Sequence, residues 1–472
     1  MSKLVVVSNR LPPMPEKGSR SRSQEVGGLA SALISALDVS GGGIWFGWSG
    51  KTSQRGEGPP VSWESGKNRI VGIDLSDREV DAYYNGFCNR SLWPLLHSFQ
   101  GRVRISRAED RIYSQVNARF ARHLLRYLEP GDMVWVHDYH LFLLGQELRR
   151  AGHTGRIGYF LHVPFPSYDI WQILPEPTRF LRAMLDYDLV GFHTRTYRDN
   201  YAYAAQRILH ASWDGTFLRA GEQSQRVGIF PIGVDPDRFA GFAAAGSSGR
   251  QRGLREPGDD RRLILGVDRL DYTKGIPQRI QSFEALLRSY PHYRGRVWMA
   301  QICAPSRTRV PEYIEQKRVV ESLVGRINGE FSEHDRVPIR YLYRSYPQER
   351  LGIFYRGAHV CLVTPLRDGM NLVAKEYIAC QDPDDPGVLV LSRFAGAAEE
   401  MAEAVLVNPY LPEDVADGIH RALSMPRRER VERHRKLLEQ VRLHTSDWWF
   451  KSFLRDLADD ETQNLSLAAG TP

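Results

Sequence analysis

Two stretches of the chain gather charged side chains on loops that follow apolar runs. One is Val267-Asp268-Arg269-Leu270-Asp271-Tyr272-Thr273-Lys274-Gly275; the other is Thr364-Pro365-Leu366-Arg367-Asp368-Gly369-Met370-Asn371-Leu372-Val373-Ala374-Lys375-Glu376. Arg269 and Lys274 are close enough on one loop to grip a diphosphate together, the arginine as a planar fork and the lysine as a point charge. Fixed cations at such a place stabilise the negative charge that grows on a departing diphosphate during glycosyl transfer. In the second stretch Asp368-Gly369 marks a tight turn, and the backbone N–H groups that follow open a helix able to receive phosphate oxygens. Glu376, in the first turns of that helix, could accept both hydroxyls of a ribose. Taken singly, the second stretch reads equally well as an Asp-Gly turn with an acidic helix entry, and the first reads better as a loop held by an Arg–Asp ion pair. Together they favour a nucleotide site.

The first half of the chain carries a different set. Arg10 ends an apolar run, and Gly27-Gly28 precedes a helical stretch from Leu29 to Leu37, a place where backbone can approach a phosphate, though a lone Gly-Gly is more often merely flexible. His137-Asp138-Tyr139-His140 spells H-x-x-H without a third ligand at sensible spacing, so Asp138 as an acceptor for a sugar hydroxyl is the more economical reading than zinc. His162 follows another apolar run; a lone histidine there is usually packed and satisfied. Trp45, Phe46, Trp48, Tyr83, Tyr84 and Trp93 make the same half dense in aromatic rings, which pack on the C–H faces of sugars but in most proteins are simply core.

These residues need a scaffold that ends strands at loops. Short apolar runs at Leu4 to Val7, Met133 to Val136, Ile157 to Leu161, Leu189 to Phe192 and Val227 to Ile232 suit buried strands. Amphipathic stretches such as Val116 to Leu128 lie between them. The alternation restarts with Leu263 to Val267, Val297 to Ile302, Ile339 to Tyr343, Val360 to Val363 and Val388 to Leu391. Buried strands alternating with helices predict an α/β chain of two Rossmann-like, doubly wound domains facing a central cleft, with ligands beyond the carboxyl ends of the strands. The polar, glycine-rich segment from Ala240 to Arg262 places the boundary: residues 1–240, then 241–445, then a last helical stretch and a fraying tail over 446–472.

Composition narrows the class. The chain has 472 residues, 42% hydrophobic and 25% charged, with a formal charge of +7. Its basic residues are interleaved with acids rather than gathered in runs, which argues against a nucleic-acid partner. No apolar run approaches the roughly 20 residues that span a bilayer, and none at the amino terminus suits a signal peptide. Four scattered cysteines imply free thiols in a reducing compartment. The expectation is a cytoplasmic enzyme without a membrane partner; assembly as a homo-oligomer is left open.

The same residues, in the same order, resemble the trehalose-6-phosphate synthases, retaining glycosyltransferases of the GT-B architecture. The likeness runs over nearly the whole chain, through Trp45-Phe46-Gly47-Trp48-Ser49-Gly50, Trp135-Val136-His137-Asp138-Tyr139-His140, Arg269 to Gly275, Gly325-Arg326-Ile327-Asn328-Gly329 and Arg367 to Glu376. The resemblance implies transfer of glucose from a nucleotide-glucose to glucose 6-phosphate, with no cofactor, no metal and a separate trehalose-6-phosphate phosphatase acting afterwards. It assigns the acceptor phosphate to Arg10, Tyr84 and Arg307, and the acceptor sugar to Trp93 and Asp138. The donor falls to Gly27, Gly28, Arg269, Lys274, Tyr346, Gly369, Met370, Asn371, Leu372, Val373 and Glu376, with His162 and Asp368 on the transferred glucose. Asp138, His162, Arg269, Lys274 and Asp368 are then the catalytic set, acting by positioning and electrostatics rather than through a protein nucleophile.

Two departures stand out. The order of residues in Gln301 to Arg307 differs slightly from the family pattern, and Tyr346 stands where the family has a phenylalanine whose backbone meets the base. UDP-glucose is the expected donor, with ADP- or GDP-glucose left open. A synthase with another phosphorylated acceptor such as glycerol 3-phosphate, or a silent sugar-phosphate sensor, are the competing readings. Asp186-Tyr187-Asp188-Leu189-Val190 spells a phosphatase-like D-x-D-x-V, but a helical stretch rather than a strand precedes it. Asp235-Pro236-Asp237 and Asp382-Pro383-Asp384 read as turns rather than as metal-binding D-x-D motifs.

Overall fold

The computed structural model describes residues 3–13, 28–53, 58–247, 253–254, 258–308, 310–333 and 336–459. The chain forms two compact units, Met1–Pro231 with Asp447–Pro472 and Ile232–Ser446. The expected fraying tail and Gly27 lie outside the described residues.

The first unit is built on β1 (Leu4–Arg10), β2 (Gly43–Thr52), β3 (Val61–Ser65), β4 (Asn68–Leu75), β5 (Met133–His137), β6 (Ile157–Phe160), β7 (Leu189–Phe192), β8 (Ser212–Trp213), β9 (Phe217–Ala220) and β10 (Gln223–Ile229). Their order is β3-β4-β2-β1-β5-β6-β7-β10-β9-β8. The strands from β4 to β10 in that order run parallel, while β3 and β9 pair antiparallel with their neighbours. Val5, Val6 and Val7 of β1 are wholly buried, as a parallel strand covered on both faces requires.

The second unit carries β11 (Arg262–Arg269), β12 (Val297–Ala304), β13 (Ile339–Leu342), β14 (Val360–Val363), β15 (Val388–Ser392) and β16 (Val405–Val407). All are parallel, in the order β13-β12-β11-β14-β15-β16. This is the dinucleotide-fold order, which reverses between β11 and β14 and opens a ligand crevice there. The first sheet reverses in the same way between β1 and β5.

Three features differ from the sequence expectation. The units divide at Pro231 and Ile232, earlier than residue 240. The helix Pro236–Ser247 belongs with the second unit, where the Cys380 thiol donates to the Phe239 carbonyl at 3.4 Å and Gly352 lies against Phe242. Second, Trp45, Phe46 and Trp48 sit on a strand, β2, that glycines at 43, 47 and 50 disguise in the sequence. Gly47 is required there, since a Cβ would come 2.4 Å from the Ser8 carbonyl oxygen of β1. Third, Val80–Leu92 is a π-helical stretch, a rare geometry with no periodicity that a pattern of apolar residues can reveal.

From Asp447 on, the helix Ser446–Ala458 is part of the first unit. The ring centroids of Trp449 and Phe453 lie 4.8 and 4.7 Å from that of Trp135, and Trp449 meets Phe160 edge-on at 5.2 Å. Gly158 and Gly191 make the room, because a Cβ on either would stand within 2.8 Å of the Phe453 ring. The D-x-D-x-V stretch follows the helix Pro177–Met184 and runs into β7, the reverse of the strand-first arrangement that signature needs.

Candidate active site

In the first unit the expected residues collect at the carboxyl ends of β1, β5 and β6. The β1–β2 register shifts between Ser8 and Arg10, leaving Arg10 exposed with its guanidinium carbon 5.5 Å from the Trp48 ring centroid. Rings then run on in sequence: Trp48 to Tyr84 at 5.8 Å, Tyr84 stacked on His140 at 5.9 Å, His140 to Tyr139 at 4.0 Å and Tyr139 to Trp93 at 5.7 Å. Arg10, Tyr84 and Trp93 are thus strung along one aromatic run, the first of them positioned by β1, the others by the π-helical stretch and the turn after it. Gly28 begins the helix Gly28–Val39.

Asp138 sits at the turn after β5 with φ of 74° and ψ of 165°, a backbone region that residues other than glycine rarely enter. Its Oδ1 accepts the His162 backbone N–H at 3.3 Å, so the structure brings Asp138 and His162 together. His137, which the sequence reading passed over as part of H-x-x-H, lies 3.0 Å through Nδ1 from Nε2 of His162. Burial pushes His137 down to about 3 and His162 well below the usual histidine range. Both rings are therefore neutral near pH 7, and one donates the shared proton while the other accepts.

In the second unit the expected residues surround the switch point. Arg269 is exposed at the end of β11. Lys274 closes the short 3₁₀ turn Tyr272–Lys274, ended by Gly275 at φ of 64°, where a Cβ would come 2.6 Å from the Thr364 carbonyl oxygen. The Lys274 ammonium pairs with Oδ2 of Asp368, which also accepts from the Asn371 amide at 2.9 Å. Asn371, at φ of 75°, precedes the helix Leu372–Cys380, so Gly369, Met370, Asn371, Leu372 and Val373 form the turn and first helical residues expected to meet phosphate. Gly369 is packed backbone to backbone with Gly396, where a Cβ would stand 1.9 Å from its carbonyl oxygen.

Glu376 is buried on that helix and accepts the Tyr355 hydroxyl at 2.9 Å. Burial raises its pKa to about 7, with the tyrosine bond opposing the rise. Tyr346, beyond β13, meets Phe354 edge-on at 5.1 Å under the Arg344 guanidinium. Arg307, beyond β12, holds Asp271 at 3.0 Å and also bonds the Tyr313 hydroxyl.

Arg279, in the first turn of the helix Ile276–Ser289, is not singled out by the sequence, where it stands between Gln278 and Ile280. Its buried guanidinium bonds Asp268, the Thr364 hydroxyl at 2.9 Å, Gln301 at 3.2 Å and the Lys274 carbonyl at 3.3 Å. One side chain thus ties the end of β11 and the residue after β14 to the middle of β12. Of the sets expected from the sequence, Arg10, Gly28, Tyr84, Trp93, Asp138 and His162 lie in the first unit, and Arg269, Lys274, Arg307, Tyr346, Asp368 to Val373 and Glu376 in the second. Among the described residues no group of three or more His, Cys, Asp or Glu could hold a metal ion, and no helix is long and apolar enough to cross a membrane.

Comparison with known proteins fits this arrangement. The profile of glycosyltransferase family 20 matches residues 2–459. A trehalose-6-phosphate synthase of Sinorhizobium fredii is 45% identical over 460 residues, which cover 97% of this chain and 98% of that protein. A UDP-forming α,α-trehalose-phosphate synthase of Burkholderia xenovorans in complex with glucose 6-phosphate superposes with a TM-score of 0.91 at 39% identity, covering 97% of this chain and 100% of that one. An E. coli structure, trehalose-6-phosphate bound with UDP-2-fluoro glucose, superposes with a TM-score of 0.90 at 39% identity, covering 97% and 99%. The two doubly wound parallel sheets are those of the GT-B fold that the sequence led us to expect. With the family profile running from its second residue to the end of its last described helix, the chain belongs to glycosyltransferase family 20.

Proposed function

We infer that this chain is an α,α-trehalose-phosphate synthase that transfers glucose from a nucleotide-glucose to glucose 6-phosphate, with retention of configuration. The observation that carries the reading is the pairing of Lys274, on the loop after β11, with Asp368, on the loop after β14, at the switch point where doubly wound sheets take their ligands. Relatives of the same family at 39% to 45% identity that carry the synthase name support the reaction class. UDP-glucose is the donor this reading favours, since one relative is UDP-forming and another holds a UDP-glucose analogue.

In this reading Arg269 and Lys274 neutralise the departing diphosphate, the N–H groups from Met370 to Val373 meet its oxygens, and Glu376 accepts the ribose hydroxyls. His162 and Asp368 hold the transferred glucose. Arg10, Tyr84 and Arg307 hold the acceptor phosphate, with Trp93 and Asp138 along the sugar. The acceptor hydroxyl attacks the face from which the diphosphate leaves, and the diphosphate takes its proton. Two fixed cations supply the charge neutralisation that a divalent ion gives other transferases, so the reaction needs no metal. Four buried free thiols suit a cytoplasmic enzyme, and release of free trehalose falls to a separate phosphatase.

The test is nucleoside diphosphate release from UDP-, ADP- and GDP-glucose, with and without glucose 6-phosphate and with and without chelator. Release that depends on glucose 6-phosphate, withstands chelation and yields an α,α-linked disaccharide phosphate supports the reading. Binding of both substrates without release would point instead to a sensor on the same fold.

A further inference from the structure

Asp271 lies between Arg269 and Lys274 on the loop assigned to the donor diphosphate, and its side chain is wholly buried. Its two carboxylate oxygens face different partners. Oδ1 accepts the Thr273 backbone N–H at 3.0 Å, while the Asp271 carbonyl accepts the Lys274 N–H at 3.1 Å, so this oxygen and the backbone shape the turn that presents Lys274. Oδ2 accepts from Arg307 Nη1 at 3.0 Å and from the Tyr313 hydroxyl at 3.0 Å. Tyr313 itself bonds Arg307 and packs its ring 5.6 Å from Tyr272 of the same loop. Arg307 is held at φ of 43°, a left-handed conformation that arginine rarely adopts.

We propose that Asp271 is a positioning residue that couples the two substrate sites, one carboxylate oxygen shaping the donor loop and the other holding the arginine of the acceptor phosphate. The proposal rests on the donor and acceptor assignments given above. A buried carboxylate cannot leave a guanidinium without stranding a desolvated charge, so Asp271, Arg307 and Tyr313 shift together or not at all. A diphosphate that settles the Arg269–Lys274 loop therefore also settles Arg307. Linkage makes the effect reciprocal: the acceptor must tighten the donor product by the same factor. A merely stabilising ion pair would raise the unfolding temperature without connecting the two affinities.

The experiment titrates the full chain calorimetrically with glucose 6-phosphate, alone and with saturating UDP, and with UDP, alone and with saturating glucose 6-phosphate. In the unaltered protein each ligand should tighten the other by the same factor, of the size common for coupled sites, about 5- to 150-fold. Asp271→Asn keeps an oxygen for the turn and removes the charge that holds Arg307. It should still bind UDP, with the coupling factor reduced to within about twofold of unity. Tyr313→Phe strips one of the two bonds to Oδ2 and leaves the turn untouched; it should lower the factor severalfold, and it decides the matter if Asp271→Asn does not fold. A full coupling factor in whichever variant folds, or no coupling in the unaltered protein, overturns the proposal. Failure of the unaltered protein to bind either ligand overturns the functional reading itself and this proposal with it.

Discussion

The Lys274 ammonium and Oδ2 of Asp368 form an ion pair that ties the loop after β11 to the loop after β14, across the point where the strand order of the second sheet reverses. The two side chains are only 12% and 14% exposed, so water screens the pair weakly. In the proposed reading, a diphosphate arriving here would share the ammonium with Asp368 rather than meet a solvated lysine. Lys274→Met should lower UDP affinity by about 1.5–3 kcal/mol, roughly 10- to 150-fold, the range of a charge-assisted hydrogen bond. The chemical step should slow further, because charge on the diphosphate grows as the bond breaks. Calorimetry with UDP and single-turnover rates measure the two effects; unchanged UDP affinity would mean that Lys274 serves only Asp368.

If Glu376 receives the donor ribose as proposed, donor binding should depend on pH. Its pKa rises from the ordinary 4.5 to about 7 because the carboxyl is buried. Between those values the folded chain keeps a proton that the unfolded chain has released, so the stability contribution of the neutral carboxyl is present at acid pH and is lost as the pH rises toward 7. Binding runs the other way, since ribose hydroxyls donate best to the carboxylate. The KM for the nucleotide-glucose should fall as the pH rises through about 7, and Glu376→Gln should flatten that limb. Tyr355→Phe, which removes a bond favouring the carboxylate, should move the limb to higher pH.

Much of this arrangement is legible in the sequence, and the exceptions have physical causes. Buried parallel strands such as β1, β5, β7 and β14 announce themselves as short β-branched runs, and charged loops directly after β11 and β14 point to the site. Strand β2 stays hidden because close backbone approach makes glycine of positions that would otherwise alternate. The π-helical stretch carrying Tyr84 follows no apolar period. Arg279 and His137 are invisible as partners because only the folded sheet brings Thr364 to one and His162 to the other. The division of the chain at Pro231 is decided by packing of the helix Pro236–Ser247, whereas composition marks only the polar segment beyond it.

The proposed function and the buried pair with Asp271 together give Arg307 two duties that a single substitution would confound. Arg307→Ala should cost about 2–3 kcal/mol of acceptor binding, roughly a hundredfold in kcat/KM for glucose 6-phosphate, with donor hydrolysis little changed. It also leaves the wholly buried Asp271 without its cation, so stability should fall by about 3–5 kcal/mol. Arg307→Ala combined with Asp271→Asn removes both charges, keeps an oxygen for the Thr273 N–H, and should recover part of the stability while leaving the acceptor defect. Thermal unfolding beside steady-state kinetics separates the duties; equal losses in transfer and in donor hydrolysis would make Arg307 structural or a donor-site residue.

Arg279 is the strongest test of how the second sheet holds its loops. Arg279→Met keeps much of the side chain's volume but strands Asp268, which burial already pushes above the ordinary carboxylate range against the pull of Arg279 and Lys274. Removing one partner of a buried pair costs about 3–5 kcal/mol. Without the guanidinium, Asp268 takes up a proton in the folded state at higher pH than before, and its folded pKa then lies further above the unfolded one. The cost should therefore be largest at alkaline pH and shrink as the pH falls toward the unfolded aspartate range. Urea unfolding of Arg279→Met across pH 5 to 9 measures this slope. Adding Asp268→Leu should abolish the slope and restore part of the stability, because two apolar groups replace the pair. A pH-independent loss would mean that the bonds from Arg279 to Thr364 and the Lys274 carbonyl, rather than the charge of Asp268, set its cost.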